Sequence, residues 1–474
     1  MLRQHRLFVV IGLAATLGAG CFPGPSSTVS ADLKVEPSAA TWKTMVAGDA
    51  DAFKPAAPPK DDSEAAKKEL EELKTWQAKR TDADKEAIKY WNDYAAPIRW
   101  SEIADQMLID AGYVPPRAAR AQAMVHVAMY DAVVAAWKAK AEYKRSAPKA
   151  REGSLSPLLA DDGIPSYPSE HAAVSAAAVA ALSHLFPEKA AELAEKAAKA
   201  NETRLAAGVN VRSDIDAGKA IGEAVAAKIV ERANADGAAN AMAPELITAM
   251  DTSWGHANAM TPKAGTWKPW LMTKGDQFRL ATPSVLVKSA LSTAYQDELA
   301  EVNREVDSLP NFAWKLDQAR FWNFDVPAII WNKTAKRFLM DLDYNTPQAA
   351  RVLGVLAAIE ADVFIACWDT KYAVLRPRPA DVDGNLQAKM PFQTPPHPSY
   401  PSGHSAASMA AATYLTTVFT KDDYKRTLMD DANQAAMSRL YAGIHYRSDN
   451  ADGQTLGKNV ADYAIQKLKD GGVL

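Results

Sequence analysis

The sequence predicts an all-α fold made of a duplicated helical bundle, with the second copy carrying the active site. Three observations lead there. Ala-rich stretches, residues 168–233 above all, stand where β-branched runs are scarce, which favours helix over strand. Helix start and stop signals recur along the chain. The chain also repeats itself. Ser166-Tyr167-Pro168-Ser169-Glu170-His171 returns as Ser399-Tyr400-Pro401-Ser402-Gly403-His404. The stretch from Arg204 to Asp214 returns as Arg439 to Asp449, identical at seven of eleven positions. Ahead of both, Asp131, Trp137 and Lys140 match Asp362, Trp368 and Lys371. The offsets run 231, 233 and 235 in chain order, which chance likeness between Ala-rich helices does not produce.

Composition removes several classes. A chain of 474 residues has room for about three domains or for one large duplicated core. With 48% hydrophobic and 23% charged residues it reads as globular, neither collagen-like nor disordered. A net charge of −3 argues against a dedicated nucleic-acid partner, which calls for a basic surplus. Two cysteines build neither a disulfide framework nor a thiolate zinc site. Cys367, on an apolar helical stretch, reads as a buried free thiol.

Taken in order, residues 1–21 form a signal peptide. Arg3 and Arg6 precede an apolar run from Leu7 to Leu17, and small residues lead to Cys21. This run is short of the ~20 residues a membrane span needs. It resembles a bacterial lipoprotein signal in which Cys21 is lipidated; Gly18 stands where Leu is usual, so plain cleavage near Ala19 stays open. The expected location is therefore outside the cytoplasm, anchored by lipid and facing the periplasm or cell surface. Residues 22–60, rich in Pro, Ser and Ala, read as a flexible tether. Residues 61–233 form an N-terminal helical region with the degenerate bundle copy. Its helices are expected at 62–79 (cap Ser63), 81–94 (cap Thr81 or Asp82), from Ser101 to Gly112, and after Pro115-Pro116 to about Lys140. Two or three more fall within 168–233. Residues 234–345, Trp-rich and full of turn residues, read as a wrapping insertion. Residues 346–474 form the catalytic bundle, with helices from Thr346-Pro347 and near 405–420, 422–440 and 450–469. After the signal no run has the ~18 apolar residues of a membrane span, so membrane contact comes only through the N-terminal lipid.

The second copy concentrates cations and imidazoles in three segments. Lys371 is followed by six residues and then Arg378-Pro379; Pro401-Ser402-Gly403-His404 opens a helix; Ser438-Arg439 precedes His445 and Asp449. Lys371, Arg378 and Arg439 supply three positive charges, the guanidinium forks suiting paired oxygens. Ser402 and Gly403 stand at a helix start, where backbone N–H groups and the helix dipole favour an anion, and Gly403 lets the backbone approach closely. His445, with Asp449 one turn on, can be held in one tautomer, leaving His404 as general acid or base. Each of these alone is more often a turn, a solvated charge or a satisfied polar residue. Together, in order and at these spacings, they describe a tetrahedral-oxyanion site.

The pattern K-x6-RP, PSGH, SR-x5-H-x3-D is met at every position. It resembles the signature of the superfamily joining type 2 phosphatidic acid phosphatases, bacterial acid phosphatases and vanadium-dependent haloperoxidases. Tyr90-Trp91-Asn92, the run from Pro115 to Arg120, Phe278-Arg279 with Pro283-Ser284, and Ala319-Arg320-Phe321-Trp322 look like segments of its soluble two-bundle, haloperoxidase-like branch. The likeness covers roughly residues 85–470.

In the haloperoxidases the resemblance implies vanadate as cofactor, held by Lys371, Arg378, Ser402, Gly403 and Arg439, with His445 as its one protein ligand. His404 would assist peroxide, and the substrates would be hydrogen peroxide and a halide. His397 matches a position that is His in bromide-oxidising members and Phe in chloride-oxidising ones, so bromide or iodide is expected; read by itself it is a loop histidine. In the phosphatases His445 would attack phosphorus in a phosphomonoester and His404 would protonate the leaving group, with no cofactor. A third reading is a non-catalytic phosphate-binding lipoprotein. The first copy departs from the pattern: Ala147 stands for Arg378, Glu170 for Gly403 and Asn210 for His445, so it is expected to be structural.

Overall fold

The computed structural model describes residues 36–160, 163–240, 258–283 and 292–474. The signal segment with Cys21, residues 22–35 and Ser284 lie outside the described residues. Among the described residues there is no strand, and the fold is all-α. Its longer helices are α1 (Glu64–Lys79), α2 (Asp82–Asn92), α3 (Ala96–Asp110), α4 (Pro115–Tyr143), α5 (Glu170–Leu185), α6 (Ala190–Ala207) and α7 (Arg212–Asn234). They are followed by α8 (Thr293–Ser308), α9 (Ala313–Phe324), α10 (Pro327–Asp341), α11 (Thr346–Val374), α12 (Gly403–Val418), α13 (Asp422–Tyr441) and α14 (Arg447–Asp470). Among the described residues no helix is long and apolar enough to cross a membrane.

Local chemistry explains where helices begin. Ser63 and Thr81 accept hydrogen bonds from the amides of Ala66 and Asp84, as N-caps should. Helix α3 starts at Ala96, five residues before the expected Ser101, because Pro97 sits in its first turn, where a missing N–H costs nothing. Asn345, not Thr346, caps α11, and Gln348 reaches back to the Asn345 amide to close a capping box.

Helices α1–α7 and α8–α14 are two copies in the same order. Both α4 and α11 are 29 residues long, begin with Pro in the first turn and end on a left-handed residue, Lys144 or Leu375. Trp100 donates to Ser175 as Trp331 donates to Ser408. Asp131 accepts from the amides of Met45, Val46 and Ala47, and Asp362 from those of Trp270, Leu271 and Met272.

Two expectations are corrected here. Within the span 234–345 read as a wrapping insertion, residues 293–341 are part of the second copy: α8, α9 and α10 are the counterparts of α1, α2 and α3. Their likeness is scattered over single positions such as Glu69 and Glu298, Asn92 and Asn323, or Leu108 and Leu339, which a comparison of contiguous strings passes over. Nor are residues 36–60 a tether. Trp42 is buried and stacks on Tyr130 with centroids 6.4 Å apart, while Asp131 gathers the three amides that follow. Removing that acceptor in Asp131→Ala should lower unfolding free energy by about 1–3 kcal/mol, read from urea midpoints; an unchanged midpoint would contradict the role given to it.

Long helices α4 and α11 pack together and run antiparallel, since Pro115 shares a cavity wall with Trp368 and Pro347 shares another with Lys140. One continuous apolar core, from Trp42 to Val473, runs through both copies and includes the free, buried Cys367. Close approach of α14 to α12 depends on Gly453 and Gly457, where a Cβ would stand 2.7 Å from the Ser402 carbonyl oxygen and 2.0 Å from that of Ala406. Helices α7 and α5 meet in the same way through Gly218 and Gly222.

Candidate active site

The helix ends of the second copy converge. Lys371 lies in the last turn of α11, Arg378 follows in the next loop, and Ser402 caps α12. Gly403 and His404 form the first turn of α12, Arg439 lies in the last turn of α13, and Asp449 in the first turn of α14, just after His445. A cavity of about 320 Å³ opens among them, lined by Arg378, His397, Gly403, His404 and His445. The first copy supplies part of its wall through Leu108, Ile109 and Tyr113 at the α3–α4 junction. Lys371, Ser402 and Arg439 are fully buried beside this cavity and do not line it.

Hydrogen bonds define the histidine tautomers. Asp449 Oδ2 is 3.1 Å from His445 Nδ1, and the same oxygen accepts from Ser399 Oγ at 2.5 Å and from the Tyr446 amide at 3.1 Å. An ionised carboxylate only accepts, so the imidazole proton sits on Nδ1, and the Nε2 lone pair accepts from Arg378 Nη1 at 3.4 Å. His404 Nε2 is 2.8 Å from the Trp322 carbonyl, so its proton is on Nε2 and its Nδ1 is the basic atom. Arg378 is held by the carbonyls of His397 (2.9 Å) and Ile444 (2.6 Å) and donates to His397 Nδ1 at 3.0 Å; the His397 ring packs on Trp368. Lys371 donates to the carbonyls of Pro398 and Ser399, and Arg439 to Ser438, Asn323 and the Ala319 carbonyl. Ser402 accepts at its hydroxyl from the Ser405 amide and hydroxyl, which starts α12 and leaves its own O–H to donate.

Burial and crowding of like charge set the electrostatics. Burial pulls the Lys371 ammonium down to about 7. Burial, then the Arg378 guanidinium, holds His445 well below the ordinary histidine value; burial and Arg439 do the same to His404. Burial opposes ionisation of Asp449, but Arg376, His445 and Ser399 outweigh it and keep the carboxyl well below its usual range. The region thus combines buried cations, two neutral imidazoles and the positive end of α12, an environment that favours an anion.

Several participants were absent from the sequence reading. Arg376 donates to Asp449 Oδ1 at 2.7 Å, and Asn323 and the Trp322 carbonyl hold Arg439 and His404. Arg376 had a signal, since it repeats Arg145 at the 231-residue offset. A carbonyl has none.

The first copy holds a cavity of about 300 Å³ lined by Lys140, Glu170, His171, Arg204 and Asn210, with Ala147 where the second copy has Arg378. Lys140 donates to the Pro165 carbonyl and Arg204 to Asn92, as their counterparts do. Trp137 donates to the Glu170 carboxylate, which stands where Gly403 leaves room.

Residues 349–464 match the model of the PAP2 superfamily. Three solved structures share the fold of this chain. The first bacterial vanadium-dependent iodoperoxidase is 23% identical with a TM-score of 0.62, over 78% of this chain and 95% of that one. A holo-type bacterial vanadium-dependent chloroperoxidase is 13% identical with a TM-score of 0.54, over 76% and 93%. Its apo-type form, also 13% identical, gives 0.53 over 76% and 95%. None of the curated proteins compared matches the chain.

Proposed function

We propose that this protein is a haloperoxidase-like enzyme of the PAP2 superfamily that holds vanadate and oxidises bromide or iodide with hydrogen peroxide. We further propose that it is exported and anchored by lipid at Cys21. The observation that supports the reading most is His445, neutral and on the cavity wall, with its proton held on Nδ1 by Asp449 and its Nε2 lone pair accepting only from Arg378. That donor set fits a tetrahedral oxyanion: one nitrogen lone pair for a central atom, the Arg378 guanidinium and a helix N-terminus for its oxygens, and two further cations behind the cavity wall. Vanadate, when bound, would supply the activation of peroxide towards halide. Lys371, Arg378 and Arg439 would balance its charge, and His404 Nδ1 would take and return a proton. His397, packed between Trp368 and Arg378, would set which halide is accepted.

The fold shared with an iodoperoxidase and a chloroperoxidase favours this reading over a second one, a metal-independent acid phosphatase acting on phosphomonoesters. The second keeps its place because the same lone pair on His445 is a competent nucleophile and vanadate and phosphate have the same shape. A phosphate carrier without catalysis would have no use for two imidazoles held in complementary tautomers.

A paired assay separates the three. Vanadate-loaded protein is given peroxide and bromide; vanadate-free protein is given a phosphomonoester. Halide oxidation in the first arm alone supports the proposal, hydrolysis in the second alone overturns it for the phosphatase, and silence in both with phosphate bound leaves the carrier. In either enzyme Arg378→Ala should weaken anion binding by about 1.5–3 kcal/mol, measured by calorimetry without divalent metal. Affinity unchanged in Arg378→Ala would remove that residue from the site.

A further inference from the structure

The two copies share a buried ion cluster that has become more elaborate in one of them. In the first, Arg145 donates to Asp214 (3.0 Å), Ser213 (2.7 Å) and Glu69 (3.1 Å). In the second, Arg376 donates to Asp449 (2.7 Å), Ser448 (2.7 Å) and Glu298 (2.6 Å). Both clusters tie the start of the last helix to the first helix of the same copy, so the shared part is structural. Two differences mark the second copy. Its aspartate also holds a histidine, where the first copy has Asn210 bonded instead to Arg204 and the Ser166 carbonyl. Its arginine is also boxed by aromatic rings: the guanidinium lies 3.8 Å from the Tyr446 centroid and 5.6 Å from that of Tyr295, and the two hydroxyls meet at 3.0 Å. The corresponding residues in the first copy are Val211 and Ala66, which have no rings.

We propose that Arg376, locked by Glu298 and the Tyr295–Tyr446 pair, is a positioning residue for His445, acting through Asp449. Asp449 spreads its acceptor capacity over four donors: Arg376 on Oδ1, and Ser399, the Tyr446 amide and His445 on Oδ2. With Arg376 bound, Oδ1 is occupied and Oδ2 is turned towards the imidazole. Without it the carboxylate can rotate, and the proton it holds on Nδ1 is free to move to Nε2, which would cover the lone pair the site needs. The aromatic box restricts the guanidinium in the copy that has a histidine to align. This rests on the reading that His445 meets the bound anion, and its test is chosen to fail separately from that reading.

The experiment compares Arg376→Met with Arg145→Met, which removes the equivalent arginine from the copy without a histidine. Arg376→Lys and Tyr295→Ala are milder variants that stay informative if Arg376→Met does not fold. All are made in the full chain and read three ways: melting temperature, ring-nitrogen shifts of ¹⁵N-labelled histidine assigned to His445, and turnover in whichever arm of the paired assay is active. Arg145→Met should lose stability but keep the wild-type His445 shifts and turnover. Arg376→Met should lose comparable stability, show His445 as a mixture of tautomers, and lose about 10–100-fold in kcat. Arg376→Lys should recover part of both losses, and Tyr295→Ala should show a smaller loss of the same kind. His445 shifts indistinguishable between Arg376 variants and wild type would overturn the proposal, whatever the chain catalyses. Altered shifts with unaltered turnover would uphold the positioning and refute His445 as the residue that meets the anion.

Discussion

His404→Ala should abolish turnover while His171→Ala leaves it intact, with one anion bound per chain in both. The two histidines hold the same place in their copies, one residue into the helix that follows a Tyr-Pro-Ser corner. Their surroundings differ. His404 has its Nε2 proton committed to the Trp322 carbonyl and lines a cavity with Arg378 and His445, so its Nδ1 is placed to move a proton. His171 lines a cavity where Ala147, Glu170 and Asn210 have removed a fork, added a carboxylate and removed the lone pair for a central atom. Loss of a positioned general acid or base costs about 10²–10⁴-fold in rate. Turnover and anion stoichiometry, measured side by side on folded variants, decide the matter. Two anions per chain, or a folded but inactive His171→Ala protein, would show that the first copy takes part in the reaction.

Stability of the anion-free protein should fall steeply as pH drops from 6.5 towards 5. Burial is the first cause in every case: His126 is lowered to about 4, and His171, His397, His404 and His445 lie well below the ordinary value. Below pH 6.5 the unfolded chain takes up protons on these five groups and the folded chain does not, so acid favours unfolding. Four carboxyls act in the opposite sense. Burial raises Asp131 and Asp362 to about 6, Glu360 well above its usual value and Asp431 above its own, so between about pH 4 and 6 the folded chain holds protons that the unfolded one releases. The five imidazoles outnumber these carboxyls, so the unfolded state binds more protons and stability falls with acid. Urea unfolding at pH 7, 6 and 5 measures this directly. A midpoint that holds steady or rises on acidification would show that these imidazoles are not buried in the neutral form. Added phosphate or vanadate should soften the decline, because an anion beside His404 and His445 favours their charged forms.

Much of this protein was legible in one chain of letters. Hydrophobic patterning and caps located α1, α2, α4 and the helices of both bundles, since a capping hydroxyl or a first-turn proline acts within a few residues of itself. The repeat and the three cationic segments named Arg378, Gly403, His404 and His445, which line one cavity, because residue type carries charge and lone pairs wherever the fold places it. It also predicted which copy lacks them. Other features had no local signature. Three helices of the second copy, α8–α10, passed for an insertion because they repeat scattered single positions, not strings. Residues 36–60 passed for a tether because the acceptor that orders them, Asp131, is more than eighty residues away. Which cations face the cavity and which stand behind its wall, which nitrogen of each histidine carries the proton, and the clamp of Arg376 on Asp449 all depend on directions in space. Those directions are set where α12 and α14 meet across Gly453 and Gly457, and where the α3–α4 junction of one copy closes the cavity of the other. Sequence determined the fold class, the duplication and the chemical inventory of the site. The tertiary structure decided its orientation, since a hydrogen bond has a direction that no residue carries alone.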